Sequence, residues 1–344
     1  MSSAMSETPP WPQGLGDVTT WRAAVDIGSV AAKLLLTDGT RRIRHSVDTM
    51  LGGMSLTATG EVRPEAISAE ALARLECTLE EFRQLVEAQG ATAIRAVATA
   101  AGRWASNAYT LTALVEQCLG TELEIIDGAG EARLAYLGAL SDPRLVPAAG
   151  AAGGPRPVVT IDIGGGSTEF AMGTGLAPEY VYSIPIGGRS ITAAYLWSDP
   201  PRPDELSAAL SVIELHVDDV RRELPGLIAS LETGVVLGLG AVTTVAAIEV
   251  GLADQDPNRG TGDGPLHGFE LTREAVEDVF RTIATENRDD RAHNPGLPPS
   301  RVDEIVGAAA VLVETMRQLG LDQVVVSQRG LLDGVAAELA TSQG

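Results

Sequence analysis

Aromatic residues are scarce in this sequence: Phe, Trp and Tyr together make up 4% of 344 residues. Apolar residues still reach 44%, so the core must be built from Ala, Val, Leu and Ile rather than from rings. Cysteine is nearly absent. Cys77 and Cys118 stand alone, their spacing fits no metal motif, and buried reduced thiols are expected. Lysine is rarer still, Lys33 being the only one. No apolar run reaches the roughly 18 residues that a membrane helix needs. The N-terminus, through Pro9, Pro10 and Trp11, has no charged-then-apolar signal pattern. A cytoplasmic protein is expected, with no membrane partner. Positive charge is also short: 25 Lys and Arg face 46 Asp and Glu, a net −21. That balance disfavours nucleic acid as a partner, since nonspecific binding needs a basic surface. A polyanionic substrate would need a local basic track against the overall field. Arginine in place of lysine suits bidentate phosphate binding, but a base-composition bias would give the same excess.

What is present organises itself around residues 157–170, PVVTIDIGGGSTEF. Val158, Val159 and Ile161 read as a buried strand, with Asp162 at its inner end. Gly164, Gly165 and Gly166 follow, where backbone N–H groups can approach an anion closely. Ser167 and Thr168 add hydroxyls, and Glu169 returns a carboxylate seven residues after Asp162. Such a turn suits phosphate oxygens, and the carboxylates suit a divalent metal bridging them. Residues 23–29, AAVDIGS, repeat the core of this pattern with Asp26, Gly28 and Ser29. Two copies about 136 residues apart predict two related halves facing one phosphate-handling cleft.

The chain is long enough to bury a large core and to form two domains. Residues 1–20 read as a disordered tail. A strand, the first turn and a second strand span Ala23 to Asp38, and Asp38-Gly39 signals a hairpin. Arg41, Arg42, Arg44 and His45 then read as a charged edge strand. Ser68 to Gly90 is the clearest helix, capped by Ser68, with Leu72, Leu75, Leu79, Phe82, Leu85 and Val86 on one face. Strands are expected at Ile94–Ala98, Leu123–Ile126, Phe170–Met172, Tyr180–Ile184, Val235–Leu237 and Val324–Val326. Helices are expected at 110–119, on from 127–133 to about 140, opening at 186–189, at 204–223, after the glycine turn 238–244 to near 250, at 271–286 and 302–319, and after 330 to about 340. Residues 141–157 read as a flexible loop, and 252–266 as a polar loop. The alternation makes the class α/β.

Four segments in this order resemble the exopolyphosphatase and guanosine pentaphosphate phosphohydrolase (Ppx–GppA) family in its short two-domain form. They are Asp162-x-Gly-Gly-Gly-Ser-Thr-Glu169, Ala98-Thr-x-Ala-x-Arg-x-Ala-x-Asn107, Gly128-x-x-Glu131-Ala-Arg133 and Val326-Ser-x-x-Gly-Leu-Leu-Asp-Gly334. The resemblance covers Ala23 to about Leu339. It implies two actin-like domains of the sugar kinase, Hsp70 and actin superfamily (ribonuclease H-like), with a cleft between them. The domains would be 21–128, completed by a helix in 329–344, and 129–328. The implied activity is release of terminal orthophosphate from polyphosphate, with Glu131 as general base. Asp162 and Glu169 would hold Mg²⁺ or another divalent cation, with Asp26 assisting catalysis across the cleft. Ser29, Arg103, Gly164, Gly165, Gly166, Ser167, Thr168 and Gly240 would bind substrate. His267 also matches a family position but receives no role, and relatives' habits suggest a homodimer. Read without the family, Glu131 is equally a helix N-terminal carboxylate favoured by the dipole, and Arg103 a surface ion pair.

Two departures stand out. Family members carry Asn and then Ser or Thr where this chain has Val30 and Ala31, and the third turn, Gly240-Ala241-Val242, is one residue short. Each lost charge-assisted contact would cost about 1.5–3 kcal/mol. A working phosphohydrolase, weakened or repurposed, is expected. The alternative substrate is guanosine pentaphosphate. The alternative class is a regulatory protein that binds a phosphorylated ligand without turnover. An actin-like ATPase or kinase ranks below both.

Overall fold

The computed structural model describes residues 20–57, 61–145, 155–252 and 263–341. Of the expected tail only Thr20 is described, and most of the loops expected at 141–157 and 252–266 lie outside the described residues. The first half runs β1 (Arg22–Ile27), β2 (Ala31–Thr37), β3 (Arg42–Asp48), β4 (Met54–Leu56), β5 (Val62–Pro64), α1 (Ala69–Gln89), β6 (Ala93–Ala98), α2 (Ala100–Trp104), α3 (Tyr109–Leu119) and β7 (Leu123–Ile125). Then come α4 (Gly128–Ala139), β8 (Val158–Ile163), β9 (Thr168–Gly173), β10 (Tyr180–Ile184), α5 (Gly188–Tyr195), α6 (Pro203–Glu223), α7 (Leu227–Thr233), β11 (Val235–Gly240) and α8 (Ala241–Glu249). The remainder is β12 (Glu270–Thr272), α9 (Arg273–Thr285), α10 (Arg288–Arg291), α11 (Ile305–Gln318), β13 (Gln323–Val326) and α12 (Leu331–Thr341).

The duplication read from the two Asp-x-Gly-Ser turns is written into the sheets. The first sheet has the order β3-β2-β1-β6-β7, the second β10-β9-β8-β11-β13, with β12 added at the edge. In each, a three-stranded antiparallel meander is followed by strands parallel to its first member. The protein is therefore α/β with two actin-like halves. The register is equally matched: Asp26 on β1 pairs with Lys33 on β2, and Asp162 on β8 pairs with Glu169 on β9. Because opposed residues in an antiparallel pair point to the same face, each aspartate shares its sheet face with the residue seven positions on.

Small aliphatic residues fill the cores, as the lack of rings requires. Helix α1 shows how local rules place a layer. Ser68 Oγ accepts from the Ala71 amide at 3.2 Å, Gly90 ends the helix at φ 65°, and Leu75, Leu79, Phe82 and Val86 are buried on one face. Each such side chain contributes roughly 1.5–3 kcal/mol of transfer free energy. Helix α4 packs Ala132, Ala135, Tyr136 and Ala139 against Val158, Ala171 and Leu237 of the second sheet. Helix α12 packs Val335 and Ala336 against Ala24, Leu35 and Val97 of the first, with Leu134 of α4 in the same cluster. Glycines at the α4–α12 crossing let the backbones touch: a Cβ at Gly138 would strike the Gly330 carbonyl, and one at Gly334 the Leu134 carbonyl.

Some expectations are corrected. Cys118 is buried but Cys77 lies on the exposed side of α1. The helix expected from 271 begins at Arg273, because residues 270–272 pair with β13 as β12. The arginines of β3 lie on an edge strand as expected, but Arg44 and Arg42 reach Asp333 of α12 at 2.7 and 3.4 Å, bracing that helix. No helix in the described residues is long and apolar enough to cross a membrane.

Candidate active site

The two Asp-x-Gly-Ser turns fold alike. The Gly28 amide donates to the Ala31 carbonyl at 3.0 Å, and the Gly164 amide to the Ser167 carbonyl at 2.9 Å. Each glycine thus closes a turn on the residue three positions later. Among the described residues, the amides of Ser29, Val30, Gly165 and Gly166 have no backbone acceptor, so they are available to an anion. The turns also meet. A Cβ on Gly166 would lie 3.3 Å from Ser29 Oγ, and one on Gly165 would lie 2.6 Å from Val30 Cγ2. Val30 and Ala31, where polar residues were missed, are buried, and Val30 packs against the opposite turn. The third turn is tight: Gly240 sits at φ 64°, and a Cβ there would lie 2.6 Å from Asp162 Oδ1.

Four carboxylates converge on this junction. Asp26 and Asp162 lie one residue before the ends of β1 and β8, and Glu169 lies beside Asp162 by register. Glu131 is in the first turn of α4, which Asp127 starts by accepting from the Gly130 amide at 2.7 Å. Gly128 lets that helix end close on β10, since a Cβ there would strike Ser183. Ser183 Oγ in turn donates to Glu169 at 2.8 Å. Arg103, from α2, ties the group together. Its Nη1 donates to Glu131 at 2.6 Å and to the Ile126 carbonyl at 3.1 Å, and its Nη2 donates to Ser167 Oγ at 3.3 Å and lies 4.0 Å from Glu169. Thr168 does not join them, because its hydroxyl donates to the Ile186 carbonyl in the core.

Burial dominates the electrostatics. It pushes the Glu131 carboxyl up to about 7 and Asp162 up to about 6, despite Arg103 beside the first and Lys33 near the second. Asp26 is raised as well, and Glu169 well above the usual carboxylate range; burial leads in both, with Glu131 and Asp162 adding to the rise at Glu169. Lys33 Nζ stands 3.6 Å from Asp26, and Arg301 also favours the charged form of Asp162. Among the described residues, one oxygen of Asp26 and the hydroxyl of Ser29 are buried with no hydrogen-bond partner. Buried oxygens are rarely left so. Four carboxylates, a bare oxygen and this desolvation fit a hard divalent cation, which prefers such ligands.

A second acidic group, Asp142, Asp263 and His267, also comes within metal-binding reach. Its oxygens are already met by Arg144 and Arg329, so it is an ion-pair network. The residues missed from the sequence are Lys33, Ser183 and Arg301. Lys33 was within reach, since it stands seven residues after Asp26 as Glu169 stands after Asp162.

Residues 47–343 match the Ppx/GppA phosphatase family. The chain belongs to the Ppx/GppA family. It is 31% identical over 337 residues to exopolyphosphatase 2 of Mycobacterium tuberculosis, covering 92% of this chain and 98% of that protein. A solved Ppx-GppA enzyme from Aquifex aeolicus superposes with a TM-score of 0.70 at 25% identity, covering 93% of this chain and 99% of the other. An exopolyphosphatase from Cytophaga hutchinsonii shares the fold, with a TM-score of 0.72 at 22% identity over 94% of this chain and 98% of the other. The enzyme class expected from the motifs, a phosphoanhydride hydrolase, is that of this Ppx/GppA family.

Proposed function

We propose that the chain is a metal-dependent exopolyphosphatase that releases terminal orthophosphate from inorganic polyphosphate. The observation that carries this reading is the Glu131–Arg103 pair, set where two glycine turns bring free amides together. The exopolyphosphatase names of its relatives support it. The terminal phosphoryl group binds the amides of Ser29, Val30, Gly165 and Gly166, and Arg103 meets its oxygens. Anionic oxygens compete with Glu131 for the guanidinium, which frees the carboxylate. Glu131 then takes a proton from the attacking water as the new P–O bond forms. The bond to the bridging oxygen breaks in line, and the shortened chain leaves with the electron pair. Asp162 and Glu169 would hold Mg²⁺, which supplies positive charge to the phosphoryl oxygens when bound. Asp26 and Lys33 orient water and phosphate from the other half. The halves are two domains, 21–128 with a helix in 329–344, and 129–328.

The test is phosphate release with Mg²⁺ from long polyphosphate, short polyphosphate and guanosine pentaphosphate in parallel, with a chelator control and Glu131→Gln beside the wild type. Release from polyphosphate that both the chelator and the substitution abolish is expected. Preference for guanosine pentaphosphate would reassign the substrate, and no release from any would leave a binding protein.

A further inference from the structure

Most arginines in the described residues pair with a carboxylate, as a net charge of −21 makes easy. Arg189 does not. Among the described residues its one hydrogen bond runs from Nη1 to the Ser29 carbonyl at 3.0 Å. That bond uses one of the five N–H donors of a guanidinium. Its position makes the open donors meaningful. Arg189 springs from the start of α5, whose Gly188 and Ser190 amides hold the carbonyls of Gly164 and Gly165 at 3.0 and 3.1 Å. Its Cβ is 3.8 Å from where a Cβ on Gly165 would be, and its Nη2 would be 3.1 Å from a Cβ on Gly52. Glycine at 52 (φ 67°) therefore leaves room for the guanidinium. The group reaches from the second half to the first turn, at the place where Val30 supplies no polar side chain.

We infer that Arg189 is a substrate contact that binds a non-terminal phosphate of the chain. Arg103 meets the second turn at Ser167, while Arg189 stands beside its other end at Gly165. A ligand spanning both offers at least two anionic groups, which a phosphate chain does. A bidentate guanidinium suits a phosphate oxygen pair. It also restores, from the opposite half, donors that the first turn lacks. This rests on the polyphosphate reading of the same site.

The experiment compares the wild type with Arg189→Gln, Arg189→Lys and Arg189→Ala on long polyphosphate and tripolyphosphate, with kcat and KM measured at several salt concentrations. Glutamine keeps a donor for the Ser29 carbonyl and removes the charge. The expected result is a KM raised about 10- to 100-fold in Arg189→Gln, the size of a lost charge-assisted contact, with kcat within about threefold. Lysine should fall between, and the salt dependence of kcat/KM should become shallower in the glutamine protein. A wild-type KM in Arg189→Gln, with only the alanine protein less heat-stable, would overturn the inference and leave Arg189 a brace on Ser29. If the wild type releases no phosphate, the hydrolase reading fails separately. Equilibrium binding of long polyphosphate to wild type and Arg189→Gln then decides: equal affinities overturn the contact, and a tenfold or larger loss supports it.

Discussion

Glu131→Gln separates what the carboxylate does for chemistry from what its burial costs the fold. Burial lifts its pKa from 4.5 to about 7. The unfolded chain gives up this proton near 4.5 and the folded chain near 7, so between those values the folded protein holds more protons. Its stability therefore falls as pH rises through that window. A rise of about 2.5 units, at 1.36 kcal/mol each, is a penalty of about 3 kcal/mol once pH exceeds 7. Glutamine has nearly the same shape, keeps an oxygen for Arg103 Nη1, and carries no charge to bury. In a chelator, the variant should match the wild type near pH 5 and exceed it by about 3 kcal/mol near pH 8, a rise in Tm of several degrees. With Mg²⁺ and polyphosphate it should lose about 10²- to 10⁴-fold in kcat, the range for a missing general base. The wild-type kcat/KM should rise with pH along an acid limb at or below about 7, since a bound cation favours the carboxylate. Thermal melts at the two pH values and a phosphate-release assay suffice. A variant less stable than wild type near pH 8, or one that keeps more than a tenth of kcat, would refute the reasoning.

Asp162→Asn should raise the Mg²⁺ concentration for half-maximal activity by at least about 10-fold, read from a metal titration of rate; an unchanged titration removes Asp162 from the ligand set. Gly90→Ala, at φ 65° with nothing within 4 Å of a Cβ, should lose about 1–2 kcal/mol to backbone strain alone and keep its activity. Gly240→Ala, whose Cβ would strike the Ile163 carbonyl and lie 2.6 Å from Asp162 Oδ1, should lose more stability and also lose activity. His267 is held neutral, its Nδ1 accepting from the Gln328 amide at 3.0 Å and its Nε2 donating to Asp142 at 2.8 Å. Burial pushes its pKa below 6.5. Below that value the unfolded chain takes up a proton that the folded chain refuses, so stability falls as pH drops. Because the buried carboxylates slope the opposite way over this range, denaturant titrations from about pH 5 to 8 should read the His267 part as a difference, the wild type losing stability relative to His267→Gln as pH drops.

The strands and helices nearest the site were legible because their signals are local. β-Branched runs end at Asp-x-Gly turns, and Ser68 and Gly90 bracket a helix whose apolar spacing leaves no choice. The ribbon of β4 and β5 was not legible. Its strands have three residues each, too few to show alternation, and Leu56 gains its burial from the core around α5 rather than from its neighbours. Arg42 and Arg44 looked like edge protection because their partner, Asp333, lies 289 residues beyond Arg44. Glu131, Arg103, Asp26, Asp162 and Glu169 were all named from motifs and meet in space. Thr168 was named from its place in a motif, but the strand pleat turns its hydroxyl inward.

The placement of α12 has a consequence for synthesis. The face of the first sheet formed by Ala24, Leu35 and Val97 is covered by Leu332, Val335 and Ala336, which the ribosome adds roughly 300 residues after β1. Until then those strands expose an apolar face that nothing earlier in the chain is shaped to hide except one side of α4. The half made first is thus finished last. A nascent chain stalled before residue 331 should be a ready client for chaperones that bind exposed aliphatic surface, and the link from one end of the fold to the other makes the two halves succeed or fail together.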